Sequence, residues 1–469
     1  MPPPEELLAA LAGHGQEHLV QFWDDLDQRQ RQALAEQIRA IDFDLIERLY
    51  RQPDRSGEIG DLADRSAEPP TFRLGQRTNR FSPEEARQRG AEALKQGRIG
   101  AMLVAGGQGT RLGFDDPKGV FPIGLVSGKS LFEIHVEKVR ATARRYGRPV
   151  PLCLMTSPVT HGPTEEFFRR HNRFGLAEGD LSIFCQGTMP AVDAAGGKLL
   201  LDRPEQIALS PDGHGGMLAA LKRSGLLDVL RGRGIEHLFY FQVDNPLVAV
   251  CDPEFLGYHL LSGSEMSSQA VRKRAPQEPL GNLVQVDGRL HMIEYSDLPK
   301  EVAQRRKADG SLAIWAGSIA VHAMDLAFLD RMATSSAGLP FHVARKKVPY
   351  VDACGRRIEP TSENALKFER FIFDLLPSAS RAIVVEVDAQ EHFAPLKNAS
   401  GEADTPEKVR SQVAALHARW LRAAGAELFD GVPVEISPLW ALDAAETAAR
   451  VAPGMKITEP TCFRVASGE

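Results

Sequence analysis

The sequence predicts an α/β fold built on a mainly parallel, mixed sheet. Three observations predict it. From Ile99 onward, short apolar runs alternate with longer amphipathic stretches, the pattern of strands separated by covering helices. The first run, Ile99 to Ala105, is too short for a helix and leads straight into a glycine-rich loop. Polar residues of chemical interest then fall just past the apolar runs, at Gly106, Thr156, Gln186 and Asp244. In sheets of this class ligands bind outside the carboxyl ends of the strands, so these positions share one rim.

The elements follow in order. Residues 1–98 read as helical: Leu19, Phe22, Trp23 and Leu26 follow a helical apolar period, and Leu34, Ile38 and Ile41 repeat it, all as packing residues. Pro69-Pro70 and the polar run to about Arg98 read as an irregular wrap. The loop after Ile99–Ala105 carries Gly106, Gly107, Gly109 and Gly113, with Arg111 among them and Lys118 behind Pro117. Glycines let a ligand approach the main chain, and consecutive free N–H groups bind anions. The loop fits a polyphosphate site or a tight strand–helix connection. It is neither common phosphate loop: Leu112 occupies the third glycine position of a dinucleotide fingerprint, and Ile123 the first glycine position of a Walker loop ending in Gly128-Lys129-Ser130.

Beyond it, Leu131–Tyr146 reads as a helix, Val150–Ser157 as a strand, Thr164–Phe174 as a helix and Leu181–Gly187 as a strand. Leu218–Leu230 reads as a helix and His237–Val243 as a strand ending at Asp244. His237 and His259 have no ligand spacing and read as structural or surface residues. Val409–Ala426 reads as a helix and the VPVEISPL segment as a strand; no motif is legible after about Asp443.

A chain of 469 residues can form two or three domains. The net charge of −6 argues against a general nucleic-acid binder, without excluding a local basic pocket. Cys153, Cys185, Cys251, Cys354 and Cys462 form no C-x-x-C pair, which suits a reduced cytoplasmic protein. The start, MPPPEELLAA, lacks a signal peptide's basic and apolar regions, and no apolar run is long enough to span a membrane.

The segment A-G-G-Q-G-T-R-L-G followed by P-K-G resembles the sugar-nucleotide pyrophosphorylases, most closely the eukaryotic-type UDP-N-acetylglucosamine pyrophosphorylases of the UTP–hexose-1-phosphate uridylyltransferase family. The resemblance runs from about Gly15 to Leu442 and includes HGQEHLVQFWDDL, MTSPVTHGPTEEFF with RFGL, FCQG, FQVDNPLV, EPLGN, IEYSD, WAGSIAVH, LPFHVARKK, NALKFERFIFD and FAPLKNA. It implies a Rossmann-like nucleotidyltransferase core, of the GT-A-like kind, over residues 99–400, with a helical segment at 1–98 and a small C-terminal domain at 401–469.

The resemblance also implies roles. Val104, Ala105, Gly106, Gly107, Lys118, Gln186, Gly213, Asp244 and Lys367 would bind the nucleotide, the Gln186 amide suiting the imide edge of uracil. Glu294, Tyr295, Phe371, Phe373 and Lys397 would bind the sugar phosphate, with His214 and Ser318 standing where the family has sugar-facing asparagines. Arg111, Lys118, Lys367 and Lys397 would carry catalysis. Asp244 would anchor Mg²⁺ or Mn²⁺. The implied reaction joins UTP and N-acetylglucosamine 1-phosphate, releasing pyrophosphate, with no nucleic-acid or membrane partner and an oligomeric state compatible with a monomer. Its charge requirement is met by positioning and neutralisation rather than by a strong base. The G-H-G loop at Gly213–Gly215 and Ser318 keep open a glucose 1-phosphate or broad-specificity enzyme. A dehydrogenase is disfavoured by Leu112, and a silent binding protein by the retained Arg111, Lys118, Lys367 and Lys397.

Overall fold

A computed structural model describes residues 2–51, 56–335 and 338–465. The chain folds as two compact units, each gathered from three stretches: Met1–Arg55, Gln186–Ala219 and Ala337–Asp374 form the first, and Ser56–Cys185, Ala220–Ser336 and Leu375–Glu469 the second.

The second unit holds the predicted sheet. Its strands are β1 (Thr71–Phe72), β2 (Ile99–Val104), β3 (Leu152–Thr156), β4 (Leu181–Cys185), β5 (His237–Gln242), β6 (Met266–Arg272), β7 (Asn282–Val286), β8 (Arg289–Ile293), β9 (Ala316–Asp325) and β10 (Ala382–Glu386). The order across the sheet is β1-β10-β6-β9-β5-β2-β3-β4, with β7 and β8 branching from β9. Every pair along that order is parallel except those made by β9, which runs antiparallel to both β5 and β6. The central strands β2, β3 and β5 are buried along nearly their whole length, which is why they read as continuous apolar runs.

Helices cover the sheet. Helix α1 (Pro83–Lys95) replaces the irregular wrap read from the sequence. The polar run hid a capping box: Ser82 accepts from the Glu85 amide, and the Glu85 carboxylate accepts from the Ser82 amide. Helix α2 (Leu131–Tyr146) begins at the Ser130 cap and ends at left-handed Gly147. Helices α3 (Pro158–Arg170) and α4 (Pro253–Ser262) each start on a proline. The predicted helix over Leu218–Leu230 is two short ones, Met217–Arg223 and Leu226–Gly232, parted at left-handed Gly225. Past Asp404, Pro406–Ala423 is helical and Val434–Ile436 a strand. The segment with no legible motif adds the helix Ala444–Arg450 and the strands Lys456–Ile457 and Thr461–Phe463, which pair in parallel with Glu427–Leu428 and Val434–Ile436. All five cysteines are free. No helix among the described residues is long and apolar enough to cross a membrane.

The first unit packs the N-terminal helices Glu5–Gly13, Gln28–Arg39 and Phe43–Tyr50 against short strands, including the antiparallel trio His342–Lys346, Ala365–Glu369 and Val192–Asp193. The Leu19–Leu26 stripe is not one helix. Leu19 and Trp23 sit on two separate 3-10 turns, Glu17–Val20 and Trp23–Asp25. Leu19, Trp23 and Leu26 nevertheless enter the core, so the apolar spacing identified what is buried and misassigned the backbone. Leu34 and Ile38 are buried on their helix, while Ile41 lies beyond its end and is only partly buried.

Candidate active site

The second unit carries Arg111, Lys118, Asp244 and Lys397, four of the residues for which the sequence resemblance implies phosphate or metal binding. The glycine loop leaves β2 at Val104 and is closed by its own main chain. The Gly109 amide donates to the Asp116 carbonyl at 3.1 Å, and the Lys118 amide to the Gly107 carbonyl at 3.1 Å. A side chain at Gly109 would meet the Phe114 backbone and ring at 2.7–2.9 Å, so only glycine permits the fold-back. The Gly106 carbonyl accepts from the Ser157 hydroxyl at 2.7 Å. Among the described residues the Gly106 and Gly107 N–H groups have no hydrogen-bond partner, and Gly107 is exposed with open space where a Cβ would stand. Two outward amides on an open turn form an anion-binding concavity. Ala105 is buried and fixes the loop's root.

Lys118 is the fixed cation of this half. Its Nζ donates to the Leu396 carbonyl at 3.3 Å and lies 4.0 Å from an Asp244 carboxylate oxygen. Asp244 follows β5 by two residues. The segment carrying Lys397 is stapled to it: the Leu396 amide donates to the Asp244 carbonyl at 2.8 Å, and the Ala399 amide to the Arg111 carbonyl at 3.0 Å. The second unit thereby gathers Arg111, Lys118, Asp244 and Lys397. Arg111 is exposed, whereas Lys118, Asp244 and Lys397 are half-buried. Gly128-Lys129-Ser130 plays no part. Lys129 pairs closely with Glu137, and Ser130 caps α2.

Several residues that hold this arrangement were missed by sequence reading. The Asn245 side chain is buried, accepts from the Leu247 and Ala394 amides at 3.2 and 3.0 Å, and donates to the His392 carbonyl at 2.7 Å. One turn apart on α2, His135 Nε2 donates to the Val243 carbonyl at 3.0 Å and Lys138 Nζ to the Pro246 and Val248 carbonyls at 2.5 and 2.8 Å. Helix α2 thus grips the Asp244 turn on both sides. Burial pushes Lys138 down to about 7 and His135 to about 3. Asp404, whose carbonyl accepts from the Lys397 amide at 2.8 Å, has its carboxyl raised by burial and by the Asp244 charge, against the pull of Lys397. An i, i+3 pair on the helix that follows the loop was the available signal for His135 and Lys138. Nothing in the sequence pointed to Asp404.

The proposed sugar contacts of this unit lie where β7, β8 and β9 meet. Asn282 pairs with Ile293 and with Gly317, so Glu294 and Ser318 follow adjacent strand positions. Tyr295 is exposed. Ser318 is buried, and its hydroxyl accepts from the Ala320 amide at 3.3 Å, leaving its O–H to donate.

The first unit carries the remaining residues. Gln186 directly follows β4 in sequence and is buried. Gly213 has a positive φ of 83°, and a side chain there would stand 2.4 Å from the Arg370 carbonyl oxygen. This close approach seats His214 among aromatics. Its ring lies 5.2 Å from Phe371 and 5.8 Å from Phe373, which stack at 5.0 Å. His214 Nδ1 accepts from the Ile372 amide at 3.2 Å. An amide only donates, so Nδ1 carries the lone pair and Nε2 the proton. Burial, with the His342 charge, lowers His214 to about 4, so it is neutral near pH 7 and offers one N–H donor. His342, another residue sequence reading missed, has its ring tilted against Phe371 at 4.6 Å and bonds Asp374 at 2.8 Å. Lys367 sits on the Ala365–Glu369 strand opposite Ala344. The Arg345-Lys346-Lys347 run is exposed.

A loop of free amides with a held lysine beside a carboxylate suits a polyphosphate and offers no nucleophile of its own, which on a sheet of this kind suits a nucleotidyltransferase. Known proteins narrow the class. A model of the UTP–glucose-1-phosphate uridylyltransferase family matches residues 57–424, and the chain belongs to that family. It is 37% identical over 446 residues to the human UDP-N-acetylhexosamine pyrophosphorylase-like protein 1, covering 92% of this chain and 88% of that one. It is 35% identical over 439 residues to the UDP-N-acetylglucosamine pyrophosphorylase of Saccharomyces cerevisiae, covering 90% and 92%. The crystal structure of the Trypanosoma brucei uridine diphosphate N-acetylglucosamine pyrophosphorylase superposes with a TM-score of 0.80 at 27% identity, covering 98% of both chains.

Proposed function

We propose that the protein transfers the uridylyl group of UTP to N-acetylglucosamine 1-phosphate, giving the UDP-sugar and pyrophosphate. The observation that carries the reading is Lys118, held by the Leu396 carbonyl within 4.0 Å of Asp244 beside the open Gly106–Gly107 amides. The names of the yeast and trypanosomal relatives support the acetylated sugar.

A sugar phosphate with a second pKa near ~6 is already ionised at pH 7, so it attacks the α-phosphorus without a base. The barrier is the meeting of two polyanions. Arg111, Lys118 and the loop amides would bind the β,γ-phosphates and the leaving pyrophosphate. Lys367 and Lys397 would hold the α-phosphate and the incoming phosphate. Gln186 would pair with uracil, and Glu294 with sugar hydroxyls. Asp244 suits Mg²⁺, which binds through one or two carboxylates plus phosphates, and Asp404 lies within electrostatic reach of it. Mg²⁺ there would neutralise triphosphate charge.

Pyrophosphate release with UTP and a panel of sugar 1-phosphates tests the reading. N-acetylglucosamine 1-phosphate should be used fastest, UTP should exceed ATP, GTP and CTP, and excess EDTA should abolish turnover. Equal rates with CTP would remove the uracil assignment, and undiminished activity in EDTA the metal. A specific observation favours a second reading. His214 offers one donor and Ser318 one hydroxyl where the family has amides, so sugar choice is expected to be less sharp than amides at both positions would make it. Glucose or galactose 1-phosphate is then used measurably. Turnover of glucose 1-phosphate alone would make the second reading the answer.

A further inference from the structure

At the opposite end of β5 from Asp244, the two histidines that showed no ligand spacing converge on one carboxylate. His237 opens β5 and lies directly across the ladder from Asp325, the last residue of β9. His259 reaches the same point from α4. His237 Nδ1 is 2.7 Å and His259 Nε2 is 2.9 Å from Asp325 Oδ1, and the two ring nitrogens are 3.3 Å apart. We propose that His237, His259 and Asp325 form a binding site for a divalent cation of the zinc class, structural rather than catalytic.

The spacing of the two ring nitrogens fits such an ion: two ligands about 2.05 Å from one tetrahedral centre lie about 3.3 Å apart, the separation seen here, while the 2.7 and 2.9 Å spacings to Asp325 Oδ1 are those of hydrogen bonds and open by about half an ångström when an ion replaces the two protons. Two imidazoles and a carboxylate suit zinc and its neighbours rather than magnesium or calcium, which prefer all-oxygen sites. The outer contacts fit as well. A ligating histidine donates its other ring N–H to an oxygen, and His259 Nδ1 lies 2.8 Å from the Ser267 hydroxyl. His237 Nε2 is buried without a hydrogen bond among the described residues and faces the Glu236 carboxylate at 3.9 Å. With neutral rings and no metal, His237 Nδ1–H and His259 Nε2–H both donate to Asp325, and a bare Nε2 lone pair is left facing that carboxylate. An ion taking the Nδ1 lone pair moves the ring proton to Nε2, where it points at Glu236. Arg98, a cation close by, is paired with Glu236.

Asp325 carries an independent sign. It occupies the N-cap position of α5 (Leu326–Thr334) yet makes no side-chain capping bond. A capping Asp normally accepts from the first turn of its helix. This one spends its carboxylate on the histidines instead. His259 is fully buried, while the Asp325 side chain is 30% exposed, which gives the ion an entry path and a water as fourth ligand.

The test is Co²⁺ titration of the chelator-stripped full chain, followed by its visible spectrum. One equivalent should bind with the strong visible absorption of a four-coordinate site and without the near-ultraviolet band of a thiolate, which separates it from Cys354 and the other free cysteines. Zn²⁺ should displace it, and the metal should raise the thermal midpoint. His237→Asn and Asp325→Asn should each lose the equivalent and the thermal shift while keeping turnover with UTP. Asp244→Asn should retain the spectrum, which excludes the catalytic carboxylate as the site. If a variant does not fold, X-ray absorption of the wild-type Zn²⁺ form decides, through imidazole scattering with no sulfur shell. Absence of a stoichiometric equivalent in the wild type, a weak six-coordinate spectrum, or a spectrum unchanged in both folded variants would overturn the site and leave a hydrogen-bonded cluster.

Discussion

The residues proposed to handle phosphate in the second unit and the aromatic nest of the first are built in opposite ways. Around Lys118 the polar groups face outward: loop amides without partners, an exposed arginine, and a lysine held by a carbonyl and a carboxylate. Around His214 aromatic rings are packed close, and burial strips the imidazole of its charge. The first arrangement gains from charge that appears only when substrate arrives, and the second from shape. The contrast teaches that losing one group in the first should cost rate, and in the second should cost choice.

The largest expected effect breaks the charged side. Lys118→Ala should fold normally and lose about 10²–10³ in kcat, the usual cost of a positioned charge-stabilising donor. Arg111→Ala should lose less, about ten- to a hundredfold, because Arg111 is exposed and water screens it. Circular dichroism with steady-state kinetics checks both; a folded Lys118→Ala enzyme with near-normal kcat would remove that lysine from the mechanism.

The next effect concerns the support beneath the charge. Lys138 is held near 7 in the folded chain, well below its unfolded value. Between pH 7 and 10.5 the unfolded chain therefore binds more protons, and this residue's contribution to stability rises with pH across that window. Urea midpoints should show the wild type gaining about 1–2 kcal/mol on Lys138→Met between pH 7 and 9. Parallel pH profiles for the two proteins would show that the amine is not desolvated.

The smallest effect concerns sugar choice, with one residue from each unit. His214→Asn with Ser318→Asn should move the kcat/KM ratio toward the acetylated sugar by about tenfold, the size of one neutral hydrogen bond, with kcat on the preferred substrate little changed. A wild type that already excludes unacetylated sugars by more than about 10⁴-fold would refute the loosened discrimination.

The parts legible in the sequence share a physical origin. β2, β3 and β5 are buried on both faces, so their composition alone declares them. Asp244 and Gly106 follow such strands directly and inherit their legibility. The misreadings also have causes. Leu19, Trp23 and Leu26 satisfy a helical spacing, yet burial constrains side chains and not backbone, and two 3-10 turns bury them equally well. Helix α1 was hidden by its polar surface although its capping box was on view. His135, Lys138, Asp404 and the His237–His259–Asp325 cluster were invisible for another reason: their partners are main-chain groups or residues far away in sequence. Such contacts exist only once the chain has closed.

The interleaving of the two units sets the timetable of synthesis. The N-terminal helices bury Leu7, Leu11 and Leu34 in a core that also needs Leu366 and Phe368. At about 5–20 residues per second, the stretch of chain between them takes tens of seconds to emerge from the ribosome. Throughout that interval the earliest helices present their leucines to solvent or to a chaperone. A nascent chain arrested near residue 330 is thus expected to be cleaved by protease within its first fifty or so residues, while a chain extended past the Ala365–Glu369 strand resists.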